Sequence, residues 1–279
     1  MSDISVFGDS VLKGVIYENN IYKVSQNRFS NICEDILGVS IENKAKFGST
    51  INIGKNIIFK NIELIKETKS KYVVMEFGGN DCDYNWREIS ENPDKEHYSK
   101  SSITQFIEIY SYLIDELKRI GKEPVLLSLP PIDSTKYFDY ISKKLNADNI
   151  LKWMEGNKQF LTNWHERYNI EVFKLAINKD IPIIDITSKF LEIKNYSNLL
   201  CDDGIHPNEK GHKIIAEAIK EHIEKKNNLT QMQLAEKLNI TDRTISKWKN
   251  GKGMPDSSIM IDLCNELFVT SFFKNSESK

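Results

Sequence analysis

The sequence predicts an open α/β sandwich on a parallel sheet, followed by a small all-helical domain. Two observations carry the first part: short β-rich runs alternate with longer helical stretches, and the central runs Tyr72-Val73-Val74-Met75 and Val125-Leu126-Leu127 are continuously apolar, as in strands covered on both faces. A third carries the second part. From Leu229 to Phe273 no strand signal remains, only short helices punctuated by Asn227-Asn228, Asn250-Gly251 and Gly253-Met254-Pro255.

Taken in order, the expected strands are Ile4 to Phe7, Lys71 to Phe77, Pro124 to Leu129 and Ile181 to Ile186. Ile103, Ile107, Tyr110, Ile114 and Leu117 repeat at helical spacing and predict a helix from Ile103 to Ile120 that stops at Gly121. Ile215, Ile219 and Ile223 predict another between Asn208 and Lys226. Cys82 to Ser102 and Pro130 to Lys152 read as long irregular loops beyond strand ends, where Tyr84, Trp86, Tyr137, Phe138, Tyr140 and Trp153 are candidates to line a pocket. The site belongs beyond the carboxyl ends of the strands.

The 279 residues suffice for about two domains, and 40% apolar with 28% charged residues is a globular composition. A net charge of -2 excludes a chain built as a whole to coat nucleic acid or an anionic membrane. No apolar run approaches the roughly 18 residues of a transmembrane helix, and Met1-Ser2-Asp3 opens no signal peptide, so a cytoplasmic protein with no membrane partner is expected. Cys33, Cys82, Cys201 and Cys264 lie too far apart for a zinc site or disulfide scaffold and are expected as reduced thiols, with no metal or cofactor.

The chemistry-bearing residues fall at the predicted strand ends. The first strand runs into Gly8-Asp9-Ser10, placing a hydroxyl on a strand-to-helix turn. A serine becomes a nucleophile only when a base takes its proton. His206, in Asp203-Gly204-Ile205-His206-Pro207-Asn208, is that base, and Asp203 can turn back to its second ring nitrogen. Ser10 and His206 are expected within ~3.2 Å. An oxyanion needs donors: the Asn80 amide in Gly78-Gly79-Asn80-Asp81, the Gly48 backbone amide in Lys46-Phe47-Gly48-Ser49-Thr50, and the amide of Ser10. His97, His165, His212 and His222 lack such company and read as surface or satisfied polar residues.

This ordered set, Gly-Asp-Ser, a loop glycine, Gly-x-Asn-Asp and Asp-x-x-His-Pro, resembles the SGNH (GDSL-type) hydrolases over roughly residues 1 to 226. The resemblance implies a flavodoxin-like three-layer α/β/α sandwich and hydrolysis of a small-molecule ester by Ser10, Gly48, Asn80 and His206, with Asp203 completing the triad. The Gly-x-Ser-x-Gly elbow of the α/β-hydrolases is absent.

In the helical tail, Thr230 and Gln233 form a capping box, Leu234, Ala235 and Leu238 give an apolar face, and a second helix follows Thr241 with Ile245 and Trp248 inward and Arg243, Thr244 and Lys247 outward. The stretch resembles the Cro-like (XRE) helix-turn-helix family from about Ile219 to Phe273. By that resemblance Gln231 and Lys249 touch DNA phosphates, while Arg243, Thr244 and Lys247 meet the major groove. Eight basic against four acidic residues between Ile219 and Lys252 suit such a face. The expected division is 1–226, 227–273 and a polar tail 274–279, with one helix over 209–226 shared as the first helix of the second domain. The function expected is a serine esterase carrying a DNA-binding-type module. The alternative is a DNA-binding regulator whose hydrolase-like domain senses a ligand. A homodimer is among the partners the sequence allows.

Overall fold

The structure, a computed structural model, describes residues 4–227, 234–236, 238–256, 258–260 and 262–263. Their contacts divide the chain into two compact units, Met1–Ile219 and Lys220–Lys279.

The first unit is a three-layer α/β/α sandwich. Its sheet comprises β1 (Ile4–Gly8), β4 (Ile41–Asn43), β5 (Tyr72–Glu76), β6 (Glu123–Leu127) and β7 (Ile183–Ile184), all parallel and ordered β4-β1-β5-β6-β7. The chain leaves β1 first toward one edge and then, through β5, toward the other. The crevice for a ligand in such a sheet lies where the order reverses, beyond the ends of β1 and β5. Those strands pair in register from Ile4 opposite Tyr72 to Gly8 opposite Glu76, so the turns that follow them start side by side.

Helices α1 (Ser10–Lys13), α2 (Phe29–Leu37), α3 (Ile51–Lys60), α4 (Ile62–Glu67), α5 (Trp86–Glu91), α6 (Ile103–Arg119), α7 (Ser134–Ser142), α8 (Ala147–Trp153), α9 (Phe160–Asn178), α10 (Ile186–Leu191) and α11 (Glu209–Asn227) complete the layers. Side chains open them: Ser102 accepts from Gln105 N at α6, Asp133 from Thr135 N and Lys136 N at α7, and Asn208 from Lys210 N and Gly211 N at α11. The main core joins Phe7, Val73, Met75 and Leu126 of the sheet to Ile51, Phe106, Tyr110, Leu117, Tyr168 and Val172 of α3, α6 and α9.

Two expectations change. The strand expected over Ile181 to Ile186 shortens to two residues because the Asp185 side chain caps α10 through Ser188 N at 2.9 Å, turning the chain. The stretches expected to be irregular, Cys82 to Ser102 and Pro130 to Lys152, fold into α5, α7 and most of α8, whose apolar faces form a second core around Ile89, Ile132, Phe138, Ile141 and Ile150. Between α1 and α2 the chain also makes an antiparallel hairpin, β2 (Val15–Glu18) with β3 (Ile21–Val24), turning through Asn19 and Asn20 at positive φ.

In the second unit, α12 (Asp242–Lys249) is capped by Thr241, which accepts from Thr244 N at 3.3 Å. Leu234, Ala235 and Ile245 are buried together, with Leu238, Ile240, Trp248 and Leu263 against them. The Thr230 to Gln233 capping box, Gln231, Cys264 and the tail 274–279 lie outside the described residues, as does the Lys249 side chain.

His212 of α11, expected as a surface or satisfied group, is not on the surface. It is fully buried beside the Phe29 ring, with the Val15 backbone as its polar neighbour. Burial first, then the field of His206, push its pKa down to about 4. A histidine that stays neutral in the fold but charges near pH 6.5 when unfolded supports stability above that pH and loses it as pH falls toward 4. Urea unfolding at a series of pH values should show His212→Leu gaining about 3 kcal/mol relative to wild type between pH 7 and pH 4. Parallel stability curves for the two proteins would contradict this.

Candidate active site

Ser10 is the first residue of α1, immediately beyond β1, and only 6% exposed. Its partner comes from the loop between the short helix Tyr196–Leu199 and α11. That loop is pinched shut by a bridge between Leu200 and Pro207 and by Cys201 N donating to the His206 carbonyl at 2.8 Å. At its tip Gly204 has φ +74°, and a Cβ there would meet Tyr137 N at 2.6 Å, so only glycine fits.

Asp203, fully buried, accepts from the backbone amides of Ile205 and His206 with one oxygen and from His206 Nδ1 with the other, at 2.6 Å. A carboxylate only accepts, which puts the ring proton on Nδ1 and leaves Nε2 free to accept from Ser10 Oγ at 2.8 Å. The three residues expected to form a chain are joined in that order.

Asn80, on the turn after β5, donates through Nδ2 to Asp9 Oδ2 at 2.9 Å, and Asp9 Oδ1 caps α1 by accepting from Val11 N at 2.8 Å. An amide nitrogen carries a second hydrogen, which is left for the cavity. Gly48 lines the same cavity at φ +71°. Asp81 holds this turn to its surroundings, accepting from Ile51 N and from Ser101 Oγ.

Asp9, Glu76 and Asp81 form a buried acidic group beneath the site, of which Glu76 lies outside every motif. Burial raises all three carboxyls, Asp81 to about 6 and Glu76, which also faces Asp9, well above its ordinary value. Glu76 is the one charged residue in the apolar run Tyr72 to Phe77, a position that flags a buried polar role.

The cavity measures about 240 Å³ and brings Ser10, Gly48, Asn80 and His206 together. Its walls are aromatic. Tyr84, Trp86, Tyr137 and Tyr140 line it as expected, whereas Phe138 and Trp153 do not and pack in the second core instead. Tyr22 and Phe47 flank His206, the first edge-on at 5.2 Å and the second parallel at 6.1 Å, and Tyr22 Oη donates to Tyr140 Oη at 2.6 Å. His165, expected as a surface or satisfied polar residue, lines the cavity as well.

Among the described residues, no group of three His, Cys, Asp or Glu side chains is arranged to hold a metal ion, and no helix is long and apolar enough to cross a membrane. On α12, Arg243 and Lys247 are exposed, while Thr244 is half-buried with its hydroxyl 2.9 Å from that of Thr241.

A family model for the GDSL-like lipase/acylhydrolases matches residues 4–219, and a helix-turn-helix model matches residues 219–273. Among solved structures, a lipase/acylhydrolase from Enterococcus faecalis is 18% identical with a TM-score of 0.58, covering 81% of this chain and 96% of its own. An acetylxylan esterase from Geobacillus stearothermophilus is 18% identical with a TM-score of 0.54, covering 79% and 93%. A GDSL-like lipase from Bacteroides thetaiotaomicron is 16% identical with a TM-score of 0.53, covering 80% and 87%. These likenesses establish the fold. No functionally curated relative matches the chain. With the family model spanning most of its length, the chain belongs to the GDSL-like lipase/acylhydrolase family and is an ester hydrolase that carries a helix-turn-helix domain at its carboxyl end.

Proposed function

We propose that the protein cleaves a carboxylic ester of small size by nucleophilic catalysis at Ser10. The observation that carries this reading is the unbroken chain from Ser10 Oγ to His206 Nε2 and from His206 Nδ1 to Asp203. As Ser10 Oγ attacks the carbonyl carbon, its proton passes to Nε2, and the Asp203 carboxylate stabilises the imidazolium. The carbonyl oxygen, now negative, receives hydrogen bonds from Asn80 Nδ2 and from the backbone amides of Gly48 and Ser10. Collapse of the tetrahedral intermediate expels the alcohol, which takes the proton from Nε2. Water, deprotonated by His206, then releases the acid from Ser10.

The 240 Å³ cavity is smaller than the usual site for a drug-sized ligand, which favours a short acyl group over a long lipid chain. Gln231, Arg243, Thr244, Lys247 and Lys249 are proposed as the DNA contacts of the helical domain. The exposed cations of α12 support that reading, and a DNA-binding module supports a cytoplasmic location. The boundary proposed at residues 226 and 227, with helix 209–226 doubling as the first helix of the second domain, is supported by the uninterrupted α11 and by the two family models meeting within it at residue 219. No observation favours the ligand-sensing alternative.

Nitrophenyl esters of increasing acyl length should be hydrolysed fastest at the short end, and Ser10→Ala should abolish turnover while leaving the circular dichroism spectrum unchanged. Asn80→Ala should lower kcat by ~100-fold, the usual loss for one oxyanion donor. Full activity in Ser10→Ala refutes the nucleophile assignment, and unchanged kcat in Asn80→Ala refutes the oxyanion role.

If the helical domain binds duplex DNA, Arg243→Ala with Lys247→Ala should weaken binding, and the wild-type affinity should fall steeply with salt as phosphate contacts release counterions. Electrophoretic shift of genomic fragments at several salt concentrations measures both. Salt-independent binding, or none, speaks against a DNA role.

A further inference from the structure

His165 occupies a position in the cavity that the reaction at Ser10 leaves unused. It lies on α9 and is 5% exposed. Its Nδ1 is enclosed and faces Glu166 Oε1 at 3.7 Å, while the other Glu166 oxygen accepts from Asn169 Nδ2 at 3.0 Å. Burial alone would raise the Glu166 carboxyl, but His165 and Asn169 outweigh it and hold the group below the usual glutamate range. The carboxylate 3.7 Å from Nδ1 favours the ring proton on that side, and with Nδ1 enclosed the ring nitrogen left for the cavity that His165 lines is Nε2, as an acceptor. Of the lining residues on the same helix, Phe160 and Leu161 are apolar and Trp164 donates its indole N–H to Cys82 O at 3.0 Å.

An acceptor enclosed by apolar walls and left unpaired by a bound ligand loses its hydration without compensation. A ligand that brings a donor to it avoids that loss. Resting on the esterase reading, we propose that His165 is a specificity-determining residue whose Nε2 accepts a hydrogen bond from a hydroxyl group of the substrate, so that the preferred substrates are small hydroxylated esters. The hydroxyl belongs to the acyl or to the alcohol half, and the two are separable by experiment. His165 thereby selects the substrate without touching the reacting carbonyl.

The test compares kcat/KM for isosteric pairs in which a hydroxyl replaces a methyl group: nitrophenyl β-hydroxybutyrate against nitrophenyl isovalerate for the acyl half, and hydroxyethyl butyrate against propyl butyrate for the alcohol half. Wild type should favour the hydroxylated member of one pair by about ten-fold or more, because a site built around a hydrogen bond rejects the analogue that lacks it. His165→Leu should erase that preference while retaining turnover of the plain ester. His165→Gln, whose amide reaches the Nε2 position, should retain part of it, and His165→Asn, whose amide sits at the Nδ1 position, should not. The opposite ranking of Gln and Asn would show that His165 serves Glu166 and the packing of α9, overturning the proposal. Equal rates within both pairs overturn it too and leave the esterase reading intact. An enzyme inert toward all four esters overturns both.

Discussion

The site depends on one buried carboxylate. Asp9, beyond the end of β1, is 2% exposed and takes its donors from two turns, Val11 N on its own and Asn80 Nδ2 on the turn after β5. The register of β1 with β5 makes this reach possible, since Gly8 and Glu76 stand opposite each other and the chain departs from both at one level. The nucleophile and the proposed oxyanion donor are therefore held by a single group. Glu76 lies beneath, its carboxyl pushed well above the usual glutamate range by burial and by Asp9, which disfavours a second anion at close quarters.

Opposite that fixed edge stands a loop with no strand to anchor it. His206 is held by satisfied polar groups: Asp203 takes two backbone amides and a ring nitrogen, and the Leu200 to Pro207 bridge closes the segment. The second core, around Ile132, Phe138 and Ile141, supports the surface on which Gly204 lands, where Asp133 N donates to the Gly204 carbonyl. Catalytic geometry here rests on packing built outside the sheet.

Much of this was legible in the residues because the relevant signals are local. Gly8-Asp9-Ser10 and Asp203 to His206 mark themselves by composition at the ends of periodic segments, and Ile103 to Leu117 shows its helical face openly. Signals that depend on distant packing were not legible. Trp86 and Ile141 lie in stretches without long periodicity, yet they fold into short helices because they share an apolar partner surface. The hairpin hid for a different reason. Asn19-Asn20 between Tyr17 and Tyr22 is a turn signal, but its strands add nothing to the main sheet and so fall outside the alternating pattern. His165 was passed over because no motif surrounds it, and only the cavity gives it a role.

That hairpin leaves a trace beyond chemistry. It pairs only with itself, yet through Tyr22 it forms the wall beside His206 and joins α7 by the hydroxyl contact with Tyr140. Changes in its turn and exposed residues would leave the ladder bonds of the five-stranded sheet in place. The hairpin thus lets the shape of the binding wall vary apart from the framework that keeps the serine in position.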